Sequence, residues 1–438
     1  MNTIIQQKLH KFQLKRTEED ITAHAGLTIV SEAYKVLGIK DLVRKMLPEP
    51  GSNRGISSEI YVESIILLQS GGGNHLEDIR QIREDKALLK LIEMKTVPSS
   101  DAIGDWLRRE GNTIGMMGLN TVGILLVKKT LRKDDHIEFT LDIDATAMES
   151  EKKEAKMTYL GFRGYMPILG YIAENGLCIY DEFREGNESP QEGIAEIIRK
   201  CKKRIPEGKR IGRFRSDSAA YQGKVINECE GEDDRIIYTI TADLDEAVKK
   251  NIATIKEEEW KPFIDRDGNE TDEEIAEIIH CMERTSKAFR LIVKRKKNMQ
   301  LDLFHQEKYC YYGIATNGEE SAEEVVWIHN GKGNTENYHK ELKSGFGVEY
   351  LPCGQFTANA FFFRIGVLTY NLIIAIKRLF LSEYWWNKTI SSIRWQLIQI
   401  AGKVVNHSRR LILKISNIPE DIFVMWQNIR QQFQYFSG

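Results

Sequence analysis

No two cysteines of this chain stand at C-x-x-C spacing. The six present, Cys178, Cys201, Cys229, Cys281, Cys310 and Cys353, are scattered. That excludes a disulfide scaffold and a thiolate zinc site, and predicts reduced, packed thiols. The sequence has no Walker A stretch, no nucleophile elbow and no G-x-G-x-x-G, so the usual phosphate and acyl sites are missing. It has no internal repeat and no low-complexity segment. The opening MNTIIQQKLHKFQLKRTEED contains no apolar stretch followed by a cleavage site, so no signal peptide is expected. No long apolar run is free of charge. The most apolar, 359–381, is interrupted by Arg364, Asn371, Lys377 and Arg378, which predicts a buried helix rather than a membrane span. A cytoplasmic protein with no membrane partner is the expectation. Net charge is only −2, which alone gives no sign of a nucleic-acid partner.

What is there is an ordinary globular composition, 42% hydrophobic and 29% charged over 438 residues, enough for two or three domains. Charge is distributed unevenly. From 331 to 438 there are 13 Lys/Arg against 6 Asp/Glu, a net of +7, which leaves −9 on the rest. A basic C-terminal third suits a polyanion surface, and an acidic remainder suits metal-binding carboxylates.

Apolar spacing predicts helices through 1–130: over 25–48, 55–73, 75–92 and 97–111. The pattern changes at 136. HIEFTLDIDAT (136–146) alternates like a strand, and strand-like 166–173 and 177–184 flank Asn175-Gly176, a hairpin signal. Then come a helix over 190–205, a strand over 210–217, a helix over 219–230 and a strand over 235–242. Strand-strand-strand-helix-strand-helix-strand is the order of an RNase H-like sheet. The last helix of that fold does not follow at once. The expected fold class is α/β: an RNase H-like mixed five-stranded catalytic core, interrupted by a mainly β insertion, behind an α-helical N-terminal domain. The expected boundaries are a helical domain at 1–130, the first part of the core at 131–242, the insertion at 243–325, and the second part with C-terminal helices at 326–438. Strands are expected at 290–295, 308–316, 325–330 and 409–415, and helices at 356–381 and 391–405.

Three acids fall at telling places. Asp144 ends the first sheet strand, Asp217 ends the fourth, and Glu336 lies in the first turn of the helix within NGKGNTENYHKELKSGFG (330–347). In such a sheet the first and fourth strands are central neighbours, so the acids would converge. At about 4 Å and an effective dielectric near 20, each like-charge pair costs roughly 4 kcal/mol. Protonation or a divalent cation must relieve that. Oxygen ligands favour Mg²⁺, with Mn²⁺ as substitute. A two-ion site suits phosphodiester chemistry.

LDIDAT (141–146) with its D-x-T, YLGFRGYMP (159–167), FREGN (183–187), FRSDSAAY (214–221), the 330–347 stretch and LPCGQFTANAFFF (351–363) together make the chain similar to a known family. It resembles the DDE transposases of bacterial insertion sequences, in the IS4-like group and its IS1380-like branch, over nearly its whole length. The resemblance implies metal-dependent cut-and-paste DNA transposition, with Asp144, Asp217 and Glu336 as catalytic metal ligands. Cleavage would free a 3′-hydroxyl that attacks a second phosphodiester, with hairpin ends as one route. The implied partners are double-stranded DNA with terminal inverted repeats, target DNA, and a second copy of the chain in the synaptic complex. The group's glutamate signature has Tyr, Arg and Lys at set distances. Here those places hold His329, Lys332 and Lys343, which the resemblance assigns to DNA phosphate. Lysine keeps arginine's charge without its bidentate fork.

Other candidates are weighed against blander roles. Asp142 shares Asp144's strand face and is the alternative ligand; the D-x-T position favours Asp144 and leaves Asp142 structural. Arg213 and Arg215 would touch DNA or be solvated, as would the run Lys294, Arg295, Lys296, Lys297. Trp260 or Trp327 would stack a flipped base, or simply be buried. Trp385 and Trp386 are expected to pack on C-terminal helices, and His280, His305 and His407 to be structural. Two other functions compete: a catalytically silent DNA-binding repressor, against which the intact acids argue, and a hydrolytic RNase H-like nuclease, against which the insertion and the lysines argue.

Overall fold

A computed structural model describes residues 13–52, 54–232, 234–298, 308–416 and 418–436. His305 and the first twelve residues lie outside the described residues. Nine strands build the main sheet: β1 (Glu138–Ala145), β2 (Ile168–Ile172), β3 (Cys178–Glu182), β4 (Arg210–Ser216), β5 (Ile237–Thr241), β6 (Lys261–Ile264), β7 (Glu270–His280), β8 (Phe289–Lys297) and β9 (Tyr309–Thr316). Their order is β6-β7-β8-β9-β5-β4-β1-β2-β3. β1, β4 and β5 are parallel neighbours, and β1-β2-β3 is an antiparallel meander. The β2–β3 turn uses Gly176 at φ 78°, the left-handed conformation that the Asn-Gly pair predicts.

The inserted segment extends this sheet. β9 pairs antiparallel with β5, with Ile314 opposite Thr241. Without it β5 would present a row of unpaired backbone groups, so the strands of 243–325 cover an edge.

Five helices matter for the site: α1 (Ser58–Gly71), α2 (Thr113–Arg132), α3 (Ala322–Asn330), α4 (Gly333–Lys340) and α5 (Phe356–Phe380). The strand expected at 325–330 is in fact α3. Ser321 and Glu324 form a capping box: Ser321 Oγ accepts from the Glu324 amide at 3.2 Å, and Glu324 Oε2 from the Ser321 amide at 2.9 Å. That start signal decides helix over strand. Val325 and Val326 then bury against Ile292 and Ile314 of the sheet. The helix expected over 391–405 is also corrected. It ends in a wide turn at Arg394–Ile398, and Gly402–His407 is a strand paired with Ile21–Thr22 and Arg410–Ile415. Val404 and Val405 suit the strand, and 410–415 supplies the partner. The 25–48 helix breaks at Gly38 (φ 78°) into Leu27–Val36 and Ile39–Met46.

α5 is the central rod. Like α2 it is long and apolar enough to cross a membrane, but 94% of its most apolar window is buried inside the protein. The polar residues that interrupt it each have a partner. Asn371 pairs with both backbone groups of Cys178 on the outermost strand β3, at 2.9 and 2.8 Å. Arg364 pairs with Asp181 at 2.7 Å. Its apolar faces meet α1, α2 and Trp106, whose ring lies 5.2 Å from Phe361. One apolar core therefore runs from the N-terminal helices through α5 to the sheet. The segment before Leu27 packs closely on the turn at 394–398: a Cβ on Gly26 would sit 1.8 Å from the Leu397 carbonyl oxygen. Cys178, Cys201, Cys229 and Cys353 are packed thiols, while Cys281 and Cys310 are exposed.

Candidate active site

The site starts from strand register. In the parallel pair β1–β4, Asp142 is level with Arg215. Side chains two apart share a face, so Asp144 comes level with Asp217, just beyond β4. Asp142 is fully buried and held bidentately by Arg215, Nε–Oδ1 2.7 Å and Nη2–Oδ2 2.7 Å, with Thr335 Oγ1 donating at 3.1 Å. Three donors hold this fully buried carboxylate, which suits Asp142 to a structural role. Asp217 caps a short turn by accepting from the Ala219 amide at 3.1 Å, and half of its side chain stays exposed.

α4 lies across this face. Lys332, just before it, places Nζ 3.4 Å from Asp144 Oδ1 and 4.0 Å from Asp217 Oδ2. His339 Nε2 is 3.2 Å from Asp144 Oδ2. Lys343 donates to the Ala147 carbonyl at 2.7 Å, just past β1. Burial disfavours the Asp144 carboxylate, but the hydrogen bond to His339 and the charge of Lys332 win, so its pKa lies below the usual carboxylate range. Asp217 goes the other way: burial and the neighbouring Asp144 carboxylate raise it against the pull of Lys332. Two carboxylates thus share one ammonium.

Glu336 lies one turn from both Lys332 and His339 on α4, and it is exposed. Among the described residues its carboxylate makes no hydrogen bond or ion pair, and no three His, Cys, Asp or Glu side chains are grouped tightly enough to hold a metal. The structure therefore brings Asp144 and Asp217 together and leaves Glu336 beside them facing solvent. Lys340, one residue past His339, lines a pocket bounded by Asn337, Tyr338 and Lys377.

His329 is corrected. It sits in the last turn of α3, nearly fully buried. Nδ1 is 3.2 Å from the Thr239 carbonyl oxygen, and Nε2 is 3.0 Å from both Tyr312 and Thr241 hydroxyls. With both nitrogens occupied it has no face for phosphate. Burial, opposed by the Thr239 contact, lowers its pKa to about 4. The sign follows: the folded state prefers the neutral ring, so stability is full above the unfolded value of about 6.5 and declines as pH falls toward 4. The full decline is about 3 kcal/mol at this residue. His329→Gln is expected to flatten the fall in unfolding free energy between pH 7 and pH 4.5, measured by urea denaturation.

The other candidates also have internal partners. Arg213 pairs with Glu320. Lys294 pairs with Glu273, Arg295 with Glu257 and Glu274, and Lys296 with Asp272, which leaves Lys297 as the exposed cation of that run without an ion pair among the described residues. Trp260 is nine-tenths buried under the Arg295 guanidinium, 4.2 Å from its ring. Trp327 donates Nε1 to the Ile264 carbonyl at 3.2 Å and lines a cleft of about 560 Å³ with Arg213 and Arg266. Trp385 is buried and Trp386 stacks on Arg378 at 4.5 Å, as expected. His280 is buried against Phe289, and His407 is an exposed strand end. His339 and Thr335 were missed by the sequence reading. The available signal was spacing: Lys332, Glu336, His339 and Lys343 recur at helical intervals on one face.

The sequence model described as "Transposase DDE domain group 1" matches residues 6–431. The chain belongs to that family. No protein with a curated description matches the chain. Among solved structures, a piggyBac transposase, determined by cryo-EM as a synaptic complex with hairpin DNA, aligns at 10% identity over 86% of this chain and 79% of that one, with TM-score 0.48.

Proposed function

We propose that the chain is the transposase of a bacterial insertion sequence, of the IS4-like group and IS1380-like branch, acting by metal-dependent cut-and-paste transposition. The observation that supports this most is the pair Asp144 and Asp217, set side by side by the β1–β4 register with Lys332 reaching both. The order β3-β2-β1-β4-β5 supports reading this core as RNase H-like.

The donor set fits a divalent cation. Asp144 and Asp217 offer hard oxygens, already compensated by one positive charge, and Glu336 is free to turn in as a third ligand. Mg²⁺, or Mn²⁺ in its place, would supply Lewis acidity toward a phosphodiester oxygen. The chain's own groups do the rest. His339 orients Asp144 through Nε2. Lys332 has an alternative partner in DNA phosphate once the carboxylates are otherwise compensated. Lys343 anchors α4 to the segment after β1. Water cleaves one phosphodiester to a 5′-phosphate and a free 3′-hydroxyl, and the same carboxylates serve that hydroxyl's attack on a second phosphodiester, which expels the 3′-oxygen already bonded there, because both are in-line transfers. The partners in this reading are DNA with terminal inverted repeats, target DNA and a second copy of the chain at synapsis, in the cytoplasm.

The test is strand cleavage of a plasmid carrying the gene and its native flanks, with Mg²⁺, Mn²⁺ or EDTA. Wild type is expected to cut at defined flanking positions only with metal, and Glu336→Gln not to cut. Retarded DNA without cleavage in either metal would favour the silent repressor instead.

A further inference from the structure

On the other side of α4 from Asp144 there is a pocket of about 520 Å³, closed by the C-terminal half of α5 and residues 386–389. Four cations line it, Lys340, Lys377, Arg378 and Lys388, against one acid, Glu341. That acid is already engaged, accepting from the Ile390 amide at 2.8 Å. Among the described residues none of the four cations has an acidic partner within ion-pair distance. Lys377 donates to the Lys388 carbonyl at 2.9 Å and Arg378 to the Glu174 carbonyl at 3.0 Å, with the Arg378 guanidinium also lying over the Trp386 ring at 4.5 Å. Arg378 Nε is buried with no hydrogen-bond partner. A buried donor left unpaired is costly, and four cations against one carboxylate leave a net positive lining, so the pocket is arranged for an anion. It also holds what a base would use: the half-buried Trp386 ring and the amide of Asn337. Its size suits a small ligand and is far too narrow for a duplex.

We propose that this pocket receives a nucleotide of single-stranded DNA, phosphate to the cations and base toward Trp386. This rests on the transposase reading and deepens it. α4 then carries both functions: Lys332 and His339 face the carboxylates, and Lys340 and Asn337 face the held strand, so an unpaired strand is fixed one helix width from the reacting phosphodiester.

The experiment uses the full chain and fluorescence anisotropy with labelled duplex ends, blunt or carrying a single-stranded extension, across a salt series. Lys340→Ala/Lys388→Ala is expected to weaken binding of the extended DNA about tenfold or more. It should also make the slope of log affinity against log salt shallower by about 0.7, the contribution of one single-strand phosphate contact. Blunt-duplex affinity should change little, and Trp386→Ala should cost a further loss of about tenfold on the extended DNA alone. Thermal melting of each variant at the wild-type temperature controls for folding. Unchanged affinity and slope in a wild-type-stable double variant overturns the assignment. A free mononucleotide binding as tightly as the oligonucleotide also overturns it, in favour of a soluble nucleotide. If wild type cuts the plasmid while the double variant binds extended DNA normally, only the pocket assignment falls. If wild type neither binds nor cuts any DNA, the transposase reading falls with it.

Discussion

Asp144→Asn is expected to lower metal-dependent strand cleavage by three orders of magnitude or more, on the order of other single catalytic carboxylates, while DNA binding stays level or tightens. The two halves of this prediction have one cause. Asp144 is the carboxylate whose ionised form is favoured, because His339 and Lys332 hold it. An amide has the same shape, and it keeps an oxygen for His339, but it carries no charge to attract a cation. Near a DNA phosphate that missing charge is one repulsion fewer. It also frees Lys332, which lies 3.4 Å from Asp144 and 4.0 Å from Asp217, to serve DNA or Asp217 alone. Removing the Asp144 carboxylate further removes what helps raise Asp217, so Asp217 should ionise at lower pH than in wild type. Cleavage by the variant within tenfold of wild type, in Mg²⁺ or Mn²⁺, would remove Asp144 from the reaction. Loss of both cleavage and DNA binding would make it a folding residue instead.

Much of this centre was legible in the sequence, and the failures have physical reasons. β1 was plain because HIEFTLDIDAT alternates over its whole length, and a period of two leaves only one register in which both apolar and acidic residues find their faces. The hairpin at Asn175-Gly176 was plain because few residues accept φ near 78°. α3 was misread because a short run such as VVWIHN carries no period, and β-branched residues bias the reading to strand. The deciding feature was Ser321 with Glu324, which lay outside the run. The strand at Gly402–His407 was misread because the helical spacing that precedes it was carried too far; one of its partners, Ile21–Thr22, lies in distant sequence, although the other is the hairpin strand just across Ser408 and Arg409. His329 was assigned by motif position alone. Its burial under Tyr312 and Thr239 is a tertiary fact that no spacing carries. His339 was overlooked for the converse reason: no motif named it, although its helical spacing from Lys332 and Glu336 was in plain view.

Arg215→Ala should unfold the protein far more readily than any substitution at Asp144, by about 3–5 kcal/mol, the scale for breaking one partner out of a buried ion pair. The two aspartates are two residues apart on one strand face, yet they are built for different ends. Asp144 keeps an open side toward Asp217 and solvent; Asp142 has none, and Arg215 supplies two hydrogen bonds at 2.7 Å each. Removing the guanidinium strands the carboxylate under Thr335. Burial already pushes Asp142 upward and Arg215 pulls it back. In the variant its folded pKa therefore lies well above the unfolded value near 3.9, so the folded state binds a proton that the unfolded state releases. The deficit relative to wild type is consequently expected to shrink as pH falls through that raised value, opposite to the acid destabilisation from His329. Urea unfolding of both proteins at pH 7.5 and pH 5.5 measures this, and an equal deficit at the two pH values would mean that the buried charge is not the cause. Asp142→Leu/Arg215→Met should recover much of the loss, because the pair is replaced by apolar volume. That rescued protein would still lack the Arg215 Nη1 bond to the Ile328 carbonyl, 2.9 Å, which ties β4 to the last turn of α3. Gly331 follows directly, and a Cβ there would meet Nη1 at 2.3 Å, so the guanidinium also sets how closely the chain passes before Lys332. Stability restored without cleavage would locate the purpose of this ion pair in placing Lys332 over the two carboxylates.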